Sequence, residues 1–357
     1  MIRTTNVRNG FIDTNNVRYV TEKTYKRWTR RLVPKRGDVI LTREAPLGDA
    51  GKVRTDDLIF LGQRLYHFRP DPNKLDADFL LYALMAPDLQ GQIRALGSGA
   101  TVEHMRLGDI PSLEIEAPAL SVQRRIGGIL SAYDELIENN QRRIKILEEM
   151  AQSLYREWFV HFRFPGHEKV KMVPSPLGPI PQGWEVKKLG DIADLRWGDT
   201  TKTKASYVEE GFDAYSASGL DGMMDHYDFD RKGVVLSAIG ANCGRTWFAS
   251  GKWSCIKNTI RFWSTPESIS TEFLFIATLR EDFWPRRGAA QPFISQGDAE
   301  EARVVCSDQA TMNTFTAFVD AALQQISSLA KLNTNLRRTR DLLLPRLLSG
   351  QIALERK

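Results

Sequence analysis

The sequence has few of the residues and runs that mark several large classes of protein. It contains only three cysteines and five histidines among 357 residues. Cys243, Cys255 and Cys306 are odd in number and widely spaced, which fits buried reduced thiols better than a disulfide framework or a zinc site. No run of about 18 apolar residues occurs, and the N-terminus has no apolar signal-peptide stretch. We therefore expect a cytoplasmic protein without a metal site.

Catalytic signatures are missing as well. In "APLGDAGKV", Pro46 stands where a phosphate-binding loop would need its first glycine. No Gly-x-Gly-x-x-Gly loop follows a strand pattern, and there is no Asn/Asp-Pro-Pro-aromatic run of the kind that amino-methyltransferases carry. We predict that the chain is not an enzyme, and an enzyme with degenerate motifs is the least favoured alternative.

The sequence does contain enough apolar material for two cores. Its hydrophobic content is 42% and its aromatic content 10%, and its length allows two domains of about 150 residues each. The net charge of +5 favours a polyanionic partner such as nucleic acid without requiring one.

Two long segments, residues 120–162 and 308–348, carry apolar residues at steps of three and four, the spacing of an amphipathic helix. The first stripe consists of Ile126, Ile129, Tyr133, Ile137, Asn140, Ile144, Leu147, Met150, Leu154 and Trp158. The second stripe consists of Phe315, Val319, Ala322, Ile326, Leu329, Leu332, Leu336 and Leu343. Neither helix can bury its stripe alone, so we predict that the two pack against each other.

The ends and the register of these helices also have sequence signals. Asn140 is predicted to be the one polar core position of the first stripe, a residue type that can fix register. Asp308 is the predicted N-cap of the second helix and Gly350 its stop. At about 40 residues, each helix would span roughly 60 Å.

The segments that precede the two helices match each other in the same order. "RGDVILTREAPLGDAGKV" aligns with "RKGVVLSAIGANCGRTWF", and "DADFLLYAL" aligns with "STEFLFIATL". In the third pair, residues 97–118 and 287–308, a loop of small residues leads to a Gly-Asp step and a strand. The constant separation of about 190 residues predicts two copies of one α+β module, each ending in a long helix.

This repeat divides the chain into six parts. We predict a first module at residues 1–118, a first helix at 119–162, a linker at 163–183, a second module at 184–306, a second helix at 307–350 and a tail at 351–357. The opening of the second module, "GWEVKKLGDIADL", has no match in the first. We therefore expect the first module to lack about thirty N-terminal residues of the repeat.

The most distinctive stretches are "GWEVKKLGDIADL", "QRRIGGILSAYDELIENNQRRIKILEEMAQSLYREWF" and "LRRTRDLLLPRLLSGQI". They resemble the specificity (S) subunits of type I restriction–modification systems, and the resemblance covers almost the whole chain. It implies an α+β protein with two α/β target-recognition domains joined by two long antiparallel coiled-coil helices. Each domain would read one half of an asymmetric bipartite site in double-stranded DNA.

The resemblance also implies partners. The helices would dock two methyltransferase (M) subunits, which use S-adenosylmethionine to methylate adenine at N6, and restriction (R) subunits that need ATP and Mg could join. This chain would hold no cofactor itself. The alternative of another class is a coiled-coil scaffold whose modules bind protein without DNA sequence specificity.

Candidate DNA-contacting residues are cations for phosphates and polar side chains for base edges. In the first module they are Arg3, Asn6, Arg8, Asn9, Arg18, Lys23, Lys26, Arg27, Arg30, Arg31, Arg43, Ser98 and Thr101. In the second they are Lys202, Lys204, Ser216, Ser218, Asn242, Arg245, Lys257, Asn258, Arg286, Arg287 and Gln291. Trp28, Trp247 and Trp253 are predicted to pack in the core or at its rim.

Overall fold

A computed structural model of the protein describes residues 1–99, 102–280, 282–288, 291–352 and 354. Contacts divide the chain into two compact units, the first made of Met1–Arg142 with Leu329–Lys357 and the second of Arg143–Ser328. Both divisions fall inside the long helices, so each unit contains one folded module and part of both helices. The module and helix limits drawn from the sequence stay predictions.

The first unit is built on a three-stranded antiparallel sheet. Its elements before the long helix are β1 (Val7–Arg8), β2 (Phe11–Ile12), α1 (Glu22–Trp28), β3 (Val39–Arg43), β4 (Leu47–Lys52), β5 (Leu65–Phe68), α2 (Ala77–Met85) and α3 (Pro87–Leu96). The strand order in the main sheet is β4-β3-β5. A 3-10 turn at Leu107–Ser112 leads to the long helix α4 (Leu120–Tyr155).

The core of the first unit joins this sheet to the helices. The central strand β3 is Val-Ile-Leu-Thr-Arg, and its first four residues are buried, as expected for a β-branched run covered on both faces. Helix α2 starts at the N-cap Asp76, whose carboxylate accepts hydrogen bonds from the backbone N–H groups of Asp78 and Phe79. Ile126 and Leu130 of α4 belong to the same buried cluster as α2.

The second unit has the larger set of strands. Its elements after α4 are β6 (Met172–Val173), β7 (Ile180–Pro181), β8 (Glu185–Lys188), α5 (Leu189–Ile192), β9 (Ala193–Trp197), β10 (Phe212–Ser216), β11 (Gly219–Met224), β12 (Phe229–Asp230), β13 (Gly233–Ser237), β14 (Thr246–Ala249), β15 (Lys252–Cys255), β16 (Thr259–Ser264), α6 (Thr271–Ala277), α7 (Gln296–Glu301), β17 (Arg303–Cys306) and α8 (Gln309–Leu348). The two four-stranded sheets have the orders β14-β13-β16-β9 and β11-β10-β15-β12.

An aromatic cluster fills the core of the second unit. The ring of Phe159, which follows α4, lies 5.0 Å from Phe315 of α8 and 4.9 Å from Phe273 of α6, measured between ring centroids. Trp184 packs on the same ring at 5.3 Å. These large side chains belong to one buried cluster, which also contains Tyr155 of α4 and Val319 of α8.

The predicted repeat is present in the strand pairing. In the first unit β3 pairs with β4 and β5, with Val39 opposite Phe68; in the second β13 pairs with β14 and β16, with Val234 opposite Phe262. All four pairings are antiparallel.

The two copies differ where the opening of the second module contributes strands. Strand β9 adds a fourth strand beside β16, and β8 pairs with β17. The strand predicted after the Gly-Asp step is therefore wrong for the first unit, where residues 113–116 form none. The reason is the pairing partner: β8 belongs to the opening segment, which has no match in the first module, and an isolated strand leaves its backbone groups unpaired.

The second long helix has the predicted N-cap and stop residues. The carboxylate of Asp308 accepts a hydrogen bond of 3.0 Å from the backbone N–H of Thr311, which confirms the N-cap of α8. Gly350 has a φ of 72° just after α8, as a helix-stopping glycine does. Helix α4 continues into a π-helical turn at Arg156–Val160.

Some expected stripe positions are wrong. Ile129, Met150 and Leu332 are 36%, 46% and 47% exposed, whereas Leu130 and Ala151 are buried. Each helix packs on a module as well as on the other helix, so its buried face is wider than a heptad seam. The buried positions therefore depart from a strict heptad spacing.

Asn140 is buried as predicted, and its Nδ2 donates to Oδ1 of Asn333 at 2.9 Å. It is not the only polar core residue of α4, because Gln123 and Asp134 are buried too. Both have partners: Gln123 bonds the backbone of Asp76, and Asp134 accepts from Tyr82 Oη. Buried polar groups are tolerated when paired in this way.

The cysteines are free and buried, as expected. Burial raises the pKa of the Cys255 and Cys306 thiols to about 12. Within the described ranges, no helix has both the length and the apolar character that a bilayer crossing requires.

Candidate nucleic-acid interface

Three loops meet at one end of the main sheet in the first unit. They are residues 44–46 after β3, residues 62–64 before β5, and residues 98–104, of which 100 and 101 lie outside the described ranges. The backbone N–H of Arg43 donates to the carbonyl of Arg64 at 2.8 Å, and that of Met105 donates to the carbonyl of Arg43 at 2.9 Å. Ser98 and His104 exchange two backbone hydrogen bonds of 3.0 Å. We call this area the three-loop surface.

The second unit has the same surface. Its loops are residues 238–245, 256–258 and 287–293, without 289 and 290. Ala238 N–H donates to the carbonyl of Asn258 at 3.0 Å, and Ile294 N–H donates to the carbonyl of Ala238 at 2.8 Å. Arg287 and Phe293 exchange hydrogen bonds of 3.0 and 2.9 Å. The repeat therefore builds one loop arrangement twice.

Most sequence-predicted contact residues are at the surface. The exposed ones are Arg8, Asn9, Arg18, Lys23, Lys26, Arg27, Arg30, Arg31, Ser98, Lys204, Ser218, Arg245, Lys257, Asn258, Arg286, Arg287 and Gln291. Arg3, Arg43, Lys202 and Asn242 are half-buried, and Asn6 and Ser216 are buried. Thr101 lies outside the described residues.

Asn6 and Ser216 do not fit a base-reading role. The Asn6 amide donates to the carbonyl of Asn16 at 2.8 Å and accepts from the backbone N–H of Arg3 at 2.9 Å. Ser216 Oγ donates to Asp221 at 2.7 Å and accepts from the backbone N–H of Ser218 at 3.0 Å. Both side chains hold local backbone, and their burial keeps them from a DNA groove.

In the second unit, the predicted residues come from separate segments and meet in space. The Asn242 amide donates to the carbonyl of Ala217 at 3.1 Å, which joins the loop after β13 to the turn between β10 and β11. The backbone N–H of Lys257 donates to the carbonyl of Lys202 at 3.5 Å. These contacts extend the three-loop surface toward the lysines of residues 202–204.

Lys204 is held by a carboxylate in that extension. Its Nζ lies 2.5 Å from Asp221 Oδ2. Burial alone would raise the pKa of Asp221, but the hydrogen bonds from Lys204, Ser216 and Tyr207 outweigh it, so the pKa is lowered. The Asp221 carboxylate therefore stays ionised and forms an ion pair with Lys204. To contact a phosphate, the ammonium group of Lys204 would have to leave this carboxylate.

A cleft of about 420 Å³ opens beside the loop after β13. Arg245, Arg280 and Arg286 line it, together with Asn242 and the half-buried Trp247. Arg280 is itself paired with Asp282 at 2.8 Å. The guanidinium groups around this concavity suit an anion such as a phosphate group, which arginine can bind with two parallel hydrogen bonds.

The first unit has a basic segment around α1. Lys23, Arg27, Arg30 and Arg31 are exposed there, and no residue of α1 itself is buried. Trp28 is 56% exposed at the end of the helix, so it lies neither in the core nor tightly packed at its rim. Trp253, in contrast, is fully buried, as predicted.

Among the predicted cations, Arg43 and Arg287 also have structural partners. Arg43 Nη1 donates to the carbonyl of Met105 at 2.9 Å and so ties two of the loops together. Arg287 forms an ion pair with Asp298, whose pKa is lowered by the Ser295 hydroxyl and also by Arg287. Arg43 holds the surface in place, and Arg287 stands at its edge.

Comparison with known proteins shows the family of the chain. The profile of a family described as "Type I restriction modification DNA specificity domain" matches residues 3–149 and 181–301. The chain belongs to this family. It is a DNA specificity subunit and has no catalytic role of its own.

Relatives match over most of the chain. The type I restriction enzyme MjaIX specificity subunit of Methanocaldococcus jannaschii is 24% identical over 95% of this chain and 82% of its own length. The HindI specificity subunit of Haemophilus influenzae is 20% identical over 89% and 87%. The crystal structure of a type I S subunit from M. genitalium has the same fold, with a TM-score of 0.58 and 20% identity over 89% of this chain and 84% of that one.

The structure adds residues to the specificity subunit's surface that sequence reasoning missed. Arg64 Nη1 lies 2.8 Å from Glu44 Oε1, and the backbone of Glu44 forms a bridge with His104. Arg280 is added by the cleft in the second unit. The repeat could have found Arg64, because it occupies the place of Asn258, which was already a candidate.

Proposed function

We propose that each unit of the specificity subunit reads one half of an asymmetric, bipartite site in double-stranded DNA. The observation that carries this proposal is the three-loop surface, which occurs once in each unit with unlike side chains. Glu44 and His104 of the first unit correspond to Ile239 and Phe293 of the second, because the same backbone bridges join them. Unlike side chains on one scaffold support unlike half-sites.

The cations around each surface supply the sequence-independent part of binding. In the second unit, the arginine-lined cleft and Lys257 would contact phosphates next to the bases that are read. In the first, the basic segment around α1 would do the same. Phosphate contacts fix register and orientation, and base contacts select the sequence.

We further propose that the outer faces of α4 and α8 dock two methyltransferase subunits. Leu136 and Ile146 of α4 and Phe318 and Leu342 of α8 are exposed although they are large and apolar. Apolar side chains on a solvent-facing helix commonly mark a protein-binding surface.

The chemistry in this proposal belongs to the partners. The methyltransferase subunits would bind S-adenosylmethionine and methylate adenine at N6, and restriction subunits would use ATP and Mg. The specificity subunit needs no cofactor for its part. It would act in the cytoplasm, where the host DNA lies.

The test is to express the chain in a host without type I systems, together with its methyltransferase partner, and to map N6-methyladenine across the genome. We expect an interrupted motif with two unlike halves, which disappears when either protein is omitted. Methylation without a shared motif, or methylation that persists without the chain, would contradict the proposal.

A scaffold role makes a different prediction for the isolated chain. Selection of bound duplexes from a pool with random half-sites should enrich particular sequences if the units read DNA. A scaffold whose modules bind protein would enrich none.

A further inference from the structure

Two residues other than glycine have left-handed backbone at the same place in the two repeats. Arg64 has a φ of 67° and Asn258 a φ of 68°. Each directly precedes a strand of the main sheet, β5 or β16. The carbonyl of Arg64 accepts a hydrogen bond of 2.8 Å from Arg43, the last residue of β3, and that of Asn258 accepts one of 3.0 Å from Ala238, which follows β13. The repeat therefore holds this backbone position in one conformation in both units.

The residue types at this position are informative. A positive φ suits glycine, is tolerated by asparagine and is uncommon for a long side chain such as arginine. A turn that only had to close would be served best by glycine in both units. An arginine kept in this conformation points to a use for its side chain.

In the first unit, the surroundings of Arg64 orient its guanidinium. The side chain is 54% exposed, and one nitrogen, Nη1, pairs with Glu44. A guanidinium has five N–H donors, so this pair leaves most of its donors available to a ligand. The backbone bridge between Glu44 and His104 links the carboxylate to the third loop.

In the second unit, the side-chain amide of Asn258 has fewer partners than the guanidinium of Arg64. It is exposed, and among the described residues no hydrogen bond to its side chain is found. Lys257 directly precedes it, and the backbone N–H of Lys257 donates to the carbonyl of Lys202 at 3.5 Å. An exposed amide that follows an exposed lysine suits a base edge beside phosphates.

We propose that Arg64 and Asn258 are equivalent specificity-determining residues, one for each half-site. Arg64 would bind the O6 and N7 of a guanine, and Asn258 the N6 and N7 of an adenine, in the major groove. This inference rests on the proposed function, because it assigns bases to the same surfaces.

The test uses glycine variants, which remove the side chain and suit the left-handed backbone. Arg64→Gly and Asn258→Gly are each co-expressed, in the full chain, with the methyltransferase partner, and the methylated motif is mapped. Arg64→Gly should relax one guanine position in one half-site, lowering discrimination there by about ten- to a hundredfold, and leave the other half unchanged. Asn258→Gly should relax one adenine position in the opposite half.

The control is Arg163→Ala, which also removes an exposed arginine that is paired with a glutamate, Glu157, but lies outside the three-loop surface and outside α4 and α8. It should leave the motif unchanged. Thermal melting of the glycine variants should be no lower than that of the wild type, because the backbone conformation favours glycine.

The outcomes separate this inference from the function it rests on. A wild-type chain that directs no motif would overturn both. A wild-type motif that both glycine variants reproduce with undiminished discrimination would overturn the role of Arg64 and Asn258 alone. Relaxation of both halves by a single variant would also count against it, since each residue belongs to one unit.

Discussion

Asp38 is a single residue on which the first unit depends. It is buried directly before β3, and its carboxylate accepts from Arg69 at 2.8 and 2.7 Å and from the backbone N–H of Lys35 at 2.8 Å. His67 Nε2 lies 2.6 Å away. Burial would raise the pKa of Asp38, but these bonds outweigh it and the pKa is lowered.

We expect Asp38→Asn to lower the free energy of unfolding at pH 7 by about 3 kcal/mol, because it leaves Arg69 without its buried partner. The pKa of Asp38 is lower in the folded protein than in the unfolded chain, where it is near 4, so the ionised carboxylate stabilises the fold above about pH 4. This stabilisation is lost as the pH falls through the pKa of the folded protein. Urea unfolding between pH 7 and pH 3 should therefore show a constant difference from the wild type that shrinks below about pH 4.

The matched control is Asp56→Asn, which removes an exposed carboxylate that is also paired with an arginine, Arg36. Exposed ion pairs contribute little, so its unfolding curve should stay close to the wild type. A difference for Asp38→Asn that is no larger than that of this control would show that the buried cluster is not stabilising.

The two long helices make buried polar contacts with each other, one between Asn140 and Asn333 and one between Asp134 and Arg340. Asn140 and Asn333 are both buried and bonded to each other. Asn140→Leu should lower the free energy of unfolding by about 1–3 kcal/mol, because the amide of Asn333 is left buried without its partner. Adding Asn333→Leu should recover most of this loss, since two apolar side chains leave no polar group unpaired.

A double-mutant cycle in urea measures this coupling. If the single and double variants were equally destabilised, shape rather than hydrogen bonding would explain the contact. The register role of Asn140 stays a prediction, and loss of a single helix register in the double variant would support it.

The whole molecule is expected to meet a polyanion through its basic surfaces. Arg30 and Arg31 are exposed in the basic segment around α1. Replacing both with glutamine should weaken binding to all DNA sequences alike, and should flatten the slope of log K against log salt by up to about 2, one for each phosphate contact.

The measurement is a salt series of DNA affinities with the full chain. Arg142 and Arg143 on α4 are also exposed, and replacing both with glutamine makes the same change in net charge. That control should change affinity little. An affinity and slope left unchanged by the Arg30 and Arg31 pair would remove this cluster from the interface.

Prediction from the sequence was best for the helices and for the repeat. The N-cap Asp308 and the stop at Gly350 depend on neighbours along the chain, so local residue types were sufficient. Stripe positions such as Ile129 were wrong, because a helix that packs on both a module and another helix buries more than one face. The burial of Asn6 could not be predicted from the sequence, since the fold of the loop brings its partners Arg3 and Asn16 next to it.

The sequence by itself determined that this protein has two copies of one module, two long helices and a specificity-subunit pattern. Periodicity, repeats and helix caps depend on residues that are close together along the chain. Only the tertiary structure decided which distant residues form each reading surface. Arg43, Arg64 and Met105 meet through backbone hydrogen bonds between strands and loops far apart in the chain. Such contacts depend on the closure of long loops around a core, which no local pattern encodes.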